Sequence, residues 1–146
     1  YFDDWSFKHP KPNDFIRSAE KVSGLELDWY LLDWAQSTMT IDYSVNSLYG
    51  VDNKTRIVLK RIGQMGMPID LRIKLKSGET LDYNIPMTKM RGSKPLQSST
   101  LLKSWSWAKP YYEVWLDIDS KNISKITIDP KNEMADINRN NNYLAL

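Results

Sequence analysis

The sequence has no cysteine and a single histidine, His9. Structural zinc is usually held by four Cys or His ligands and catalytic zinc by at least two His, so neither kind of site can be assembled from these 146 residues. Disulfides and thiol chemistry are excluded as well, and a cysteine-free chain fits any redox compartment. An excess of one charge is also missing. Twenty Lys and Arg stand against 18 Asp and Glu, a net charge of +2, which gives no field that would imply nucleic acid or an acidic membrane surface as partner. No apolar run approaches the roughly 20 residues of a membrane-spanning helix. No secretion signal is visible, and a chain opening on Tyr1 reads as a trimmed piece, so that absence says nothing about the whole gene product. What is present describes a globular protein: 41% apolar residues, 26% charged, and 12% aromatic with six Trp and eight Tyr. A chain of this length buries about 68–70% of its unfolded surface, enough for one core.

Two textures divide the chain. In residues 1–38, His9-Pro10-Lys11-Pro12 is a stiff extended lead-in, since a residue before proline is pushed out of the helical region. Asn13 or Asp14 then offers an N-cap, Phe15, Ala19 and Val22 recur at helical spacing, and Gly24 stands where a helix stops. A second helix is predicted from about Asp28, with Leu27, Leu31 and Trp34 on one stripe. Two such helices carry more apolar surface than they can hide from each other, which implies a further partner over them.

From Met39 to the end at 146 the period becomes two. Alternation is visible over 40–45, less cleanly over 56–62, and clearly where Ile69, Leu71, Ile73 and Leu75 oppose Asp70, Arg72, Lys74 and Lys76. A turn at Lys76-Ser77-Gly78-Glu79 leads to Leu81, Tyr83 and Ile85, the strongest hairpin signal in the chain. Arg91-Gly92-Ser93-Lys94-Pro95 marks a loop, and Tyr111–Ile118 and Ile123–Ile128 are the remaining strands, the last closed by Asp129-Pro130. About six or seven short strands at this spacing predict an immunoglobulin-like antiparallel β-sandwich, so the fold class is mainly β with a short helical hairpin in front.

Few residues carry a chemical signal. Histidine is the side chain whose ordinary proton exchange lies near neutrality, so the lone one here, His9, could serve as a general base. No nucleophile elbow accompanies it, and a structural hydrogen bond at the start of a helix is the simpler reading. Asp136-Ile137-Asn138-Arg139-Asn140 imitates the start of a calcium loop, but the required Gly is Asn141 and the chain ends before the bidentate Glu, so a polar turn after the final strand is expected. Trp105, Trp107, Tyr111, Tyr112 and Trp115 crowd together, either as a core or interface, or as a sugar-stacking platform through Trp105, Trp107, Tyr111 and Trp115. Lys74, Lys76, Lys89, Arg91 and Lys94 are read as a solvated face because acids are interleaved with them. Two sequons, at Asn53 and Asn122, matter only in a secreted eukaryotic protein.

Trp5-Ser6-Phe7-Lys8-His9-Pro10-Lys11-Pro12-Asn13-Asp14-Phe15, then Ser23-Gly24-Leu25-Glu26-Leu27-Asp28-Trp29 and Trp34, make a recognisable stretch. So do Met65-Gly66-Met67-Pro68-Ile69-Asp70, Met90-Arg91-Gly92-Ser93-Lys94-Pro95, and Ile128-Asp129-Pro130 with Met134-Ala135-Asp136-Ile137-Asn138-Arg139. Over nearly its whole length the chain resembles the region after the catalytic core in the aminopeptidase N family of zinc metallopeptidases, bacterial members above all. The resemblance implies that residues 1–38 are the last helices of a thermolysin-like catalytic domain and residues 39–146 a following β-sandwich. The H-E-x-x-H motif, the third zinc ligand and the Gly-x-Met-Glu-Asn substrate loop are all missing here, so no catalytic or metal-binding residue is carried over. The implied zinc, and the peptide substrate, belong to an upstream domain of the same polypeptide. Phe7, His9, Phe15, Ile16, Trp29, Leu31 and Trp34 are the candidate contacts to that domain, and without it the piece is expected to self-associate. The cellular address stays open, an exported, periplasmic or cell-surface bacterial parent being one expectation. The alternative is a stand-alone carbohydrate-binding module built on the exposed aromatics.

Overall fold

A computed structural model describes residues 1–93 and 98–146; Lys94 and Pro95, assigned above to a basic stripe and a loop, lie outside them. Three helices precede eight strands: α1 (Phe2–Trp5), α2 (Pro12–Ser23) and α3 (Asp28–Ala35), then β1 (Tyr43–Val51), β2 (Lys54–Arg61), β3 (Ile69–Leu75), β4 (Thr80–Ile85), β5 (Thr100–Leu101), β6 (Tyr111–Leu116), β7 (Ile123–Ile128) and β8 (Tyr143–Ala145). The strands form two sheets, β1-β2-β6 and β5-β4-β3-β7-β8. Chain order switches sheets at β2–β3, β5–β6 and β6–β7, as in an immunoglobulin-like sandwich. Among the described residues the pairings between these strands are antiparallel except the short one between β4 and β5.

The inward residues follow from the two-residue period, except Ile123, which the register shift between Lys74 and Leu75 brings to the same face. Ile69, Leu71 and Ile73 of β3, Ile85 of β4 and Ile123, Ile126 and Ile128 of β7 face Tyr43 and Val45 of β1, Ile57 and Leu59 of β2, and Val114 and Leu116 of β6 in one buried cluster. Trp105 plugs one end, its ring 5.4 Å from that of Tyr43 and 5.2 Å from that of Tyr112, its indole N–H donating to the Lys109 carbonyl at 2.8 Å. The hairpin expected at Ser77-Gly78 is present, with Gly78 at φ 93°, a conformation that glycine adopts without strain. On its outer face Arg72 grips Asp82 through two bonds of 2.7 Å across the register pair, holding the Asp82 carboxyl below its ordinary range.

The polar segment 136–142 is not a loose turn after the final strand. It precedes β8 and locks the sandwich. Buried Asp136 accepts from the Tyr43 N–H at 2.9 Å and the Asn138 N–H at 2.8 Å. Asn142, with its amide nitrogen turned toward the acceptors, donates to the Tyr43 carbonyl (2.6 Å), Asn141 Oδ1 (3.0 Å) and Asp136 Oδ2 (3.1 Å). Asn141 donates to Asp42 Oδ1 at 2.8 Å. Both oxygens of Asp136 are therefore taken up by protein donors.

Tyr43 anchors the same corner from inside. Its hydroxyl donates to the Met67 carbonyl and accepts from the Met67 N–H, at 3.2 and 2.8 Å. Burial pushes the phenol up from 10.0 to about 12, against the smaller opposing effect of the Met67 bond. The unfolded chain ionises Tyr43 at the lower value, so its contribution is fully present below pH 10.0 and is lost as pH rises toward about 12. Over that window the fold should lose up to roughly 2–3 kcal/mol through this group. Tyr83 and Tyr112 are shifted the same way by burial. Alkaline urea titrations should therefore show a shallower loss for Tyr43→Phe than for wild type; parallel losses would contradict the assignment.

Candidate functional site

The helical head is inverted in its burial. Pro12 begins α2, Asp14 reaches back to accept from the Lys11 N–H at 2.7 Å, and Gly24 closes the helix at φ 69°. The cap is thus Lys11, not Asn13 or Asp14, because proline suits the first helical position and the aspartate bonds backward over that turn. The predicted stripe Phe15, Ala19, Val22 exists, but it faces outward: Phe15 is 56% and Val22 90% exposed, while Ile16, one position round the helix, is buried. Helix α3, Asp-Trp-Tyr-Leu-Leu-Asp-Trp-Ala, is apolar around most of its circumference, the pattern of a helix meant to be covered.

Trp29 is what ties the head to the sandwich. It packs with Met87 and Met90, flanked by Leu25, Leu27 and Met67, and its indole N–H donates to the Glu26 carbonyl at 2.7 Å. The Glu26 N–H in turn donates to the Met90 carbonyl at 3.0 Å. Among the described residues 1–38 only Ile16 and Trp29 are buried hydrophobics, whereas eight large ones are exposed, against ten in the described part of residues 39–146. Phe7 is fully exposed and holds φ 59°, a strained backbone for a bulky residue.

The candidate docking set therefore divides. Phe7, Phe15 and Trp34 are exposed, Leu31 is half-buried, and Ile16 and Trp29 are covered by the chain itself, which takes them out of any outer contact. His9 is exposed, and its side chain has no hydrogen-bond partner among the described residues, so the structural bond expected of it is not formed.

The aromatic cluster divides too. Trp105 is core, because its indole fills the sandwich end and its N–H is satisfied internally. Tyr111 and Trp115 face outward from β6 with Tyr49 beside them, but Arg56 lies 5.6 Å from the Tyr49 ring and 5.9 Å from that of Trp115, and Lys60 lies 5.7 Å from Tyr111. Arg56 also pairs with Glu113, which lowers the Glu113 carboxyl from its ordinary range. These rings form cation–π contacts within the sheet. Trp107 lies elsewhere, under the Lys89 ammonium at 4.6 Å.

Lys89 and Trp107 belong to a cleft of about 470 Å³ where the head meets the sandwich. Glu26, Trp29, Leu32 and Asp33 line it from the head, Thr88, Lys89 and Arg91 from the turn after β4. Arg91 approaches Glu26 at 3.7 Å. Of the proposed basic stripe, Lys74 and Lys76 stay on the exposed face of the β3 hairpin, while Lys89 and Arg91 line this cleft; nothing in local periodicity could have shown that they meet α3.

Oxygens of Glu20, Glu26 and Asp28 come within 4.8 Å of one another beside the start of α3. Glu20 already accepts from the Leu27 N–H at 2.7 Å and Glu26 faces Arg91. An all-carboxylate group of this kind does not fit the nitrogen and sulfur preference of zinc. Comparison with protein families, with curated proteins and with solved structures finds no match to the chain.

Proposed function

We propose that this chain is the non-catalytic C-terminal portion of a larger zinc-dependent aminopeptidase. Its head packs against an upstream catalytic domain that holds the zinc and the peptide substrate, and its sandwich braces that contact. The single observation that carries the reading is the head's burial: eight large exposed hydrophobics against two buried ones, while the sandwich core is complete without help. Apolar groups held outward on α2 and α3 lose about 25 cal/mol of favourable transfer free energy per Å² left in water, so a folded helix of this kind is explained by a surface that covers it. The resemblance in Phe7-Lys8-His9-Pro10 and Ser23-Gly24-Leu25-Glu26-Leu27-Asp28-Trp29 names the family of that surface.

Alone, the chain should self-associate through the head. Light scattering over a concentration series is expected to show a rising mean mass, with binding of a hydrophobic dye. Phe15→Glu with Trp34→Gln, both at exposed positions, should return it toward monomer without lowering its thermal midpoint. A wild-type chain that stays monomeric and binds no dye would overturn the reading.

A further inference from the structure

The cleft between head and sandwich carries an inference that does not depend on the upstream domain, since every wall of it belongs to this chain. Its acids come from the α3 side, Glu26 and Asp33, and its bases from the turn after β4, Lys89 and Arg91. Glu26 and Arg91 are loosely paired at 3.7 Å. The other two are not paired: among the described residues, Asp33 has no cationic partner, and Lys89 has only the Trp107 ring at 4.6 Å. Leu32 and Trp107 supply half-exposed apolar surface beside them.

The lining is neutral in sum but split in sign. A purely anionic ligand meets Glu26 and Asp33, a purely cationic one meets Lys89 and Arg91, and neither gains. A ligand that is itself charge-separated satisfies both walls, and charge-assisted hydrogen bonds are the stronger kind. Concave sites of a few hundred Å³ at a junction of two structural units, with few polar groups over an apolar floor, are where small molecules bind.

We propose that this cleft binds a small zwitterion with an apolar body, an ammonium directed to Asp33 and a carboxylate to Lys89, as carried by a free α-amino acid or a short unblocked peptide. Calorimetric titration of the chain with L-leucine and with leucyl-leucine tests it and separates the two sources. Saturable binding of either is expected. N-acetyl-leucine and leucinamide, each lacking one charge, should bind about tenfold more weakly or worse than leucine, and the corresponding blocked dipeptides likewise. Asp33→Asn should abolish the penalty for acetylation while keeping that for amidation, and Lys89→Met should do the reverse. Both side chains are only half-buried, so the variants should keep the wild-type melting curve, and the blocked ligands test the same claim on the unaltered chain. No saturable binding of either probe, or equal binding of blocked and unblocked forms, would overturn it.

Discussion

Replacing Asp136 by alanine should cost about 3–5 kcal/mol. The carboxylate is buried and serves three donors: the backbone N–H groups of Tyr43 and Asn138 and the Asn142 side chain. Alanine removes the acceptors and leaves the Tyr43 and Asn138 N–H groups without that partner, while the Asn142 amide keeps the Tyr43 carbonyl and Asn141 Oδ1. The Tyr43 bond, across 93 positions of sequence, is one that holds the start of β1 against the segment before β8. In a domain of this size the loss should lower the thermal midpoint by roughly 10–15 °C. Asp136→Asn keeps one acceptor oxygen and should fall between the two. Chemical denaturation of the three proteins checks the order; an alanine variant within about 1 kcal/mol of wild type would show that water replaces the carboxylate and that the segment is not a lock.

Trp29→Ala should act locally and strongly. Truncating a buried tryptophan typically costs about 3–5 kcal/mol, and here the loss falls on the seam with Met87 and Met90 rather than on the sandwich core. What remains across that seam is the partly buried packing of Leu25 and Leu27, the Glu26–Met90 backbone bond and the exposed Arg91–Glu26 pair, which contributes little. The head should therefore open while the sandwich persists. Amide exchange in α2 and α3 should quicken by about a hundredfold or more, with protection in β2, β3 and β7 unchanged. Equal acceleration everywhere would mean that head and sandwich unfold as one unit.

The parts of this fold legible in the sequence are those where local pattern and tertiary role coincide. Strand β3 and its hairpin partner β4 could be read directly, because Ile69, Leu71 and Ile73 all point to one core and Gly78 supplies the turn. Strand β1 was harder: the pairing register shifts between Val45 and Ser47, so the two-residue period breaks where the strand continues to Val51. In β2, Val58 is buried on the face opposite Ile57 and Leu59, which blurs its sides. Strand β8 has three residues and follows an asparagine run, and β5 has two; neither is long enough to show a period. The one-turn helix α1 falls below the same limit.

For the surfaces, composition shows which residue types are in excess but not their addresses. The excess of apolar residues before position 38 pointed correctly to an uncovered face, yet which side of α2 faces outward depended on Ile16 rather than Phe15 meeting the rest of the chain. Trp105 and Trp107, two positions apart, part company because the first closes the sandwich and the second turns into the cleft. That cleft joins Asp33, Lys89 and Trp107, which the packing of the head on Met87 and Met90 brings together.

The central claim is that the outward face of α2 and α3 is built for a catalytic domain that precedes it in the same polypeptide. Reading the coding sequence upstream of Tyr1 tests this most directly. The account predicts an H-E-x-x-H helix and a following Glu, the zinc ligands that this chain lacks. An unrelated domain in that place, or a start codon immediately before Tyr1, would contradict it.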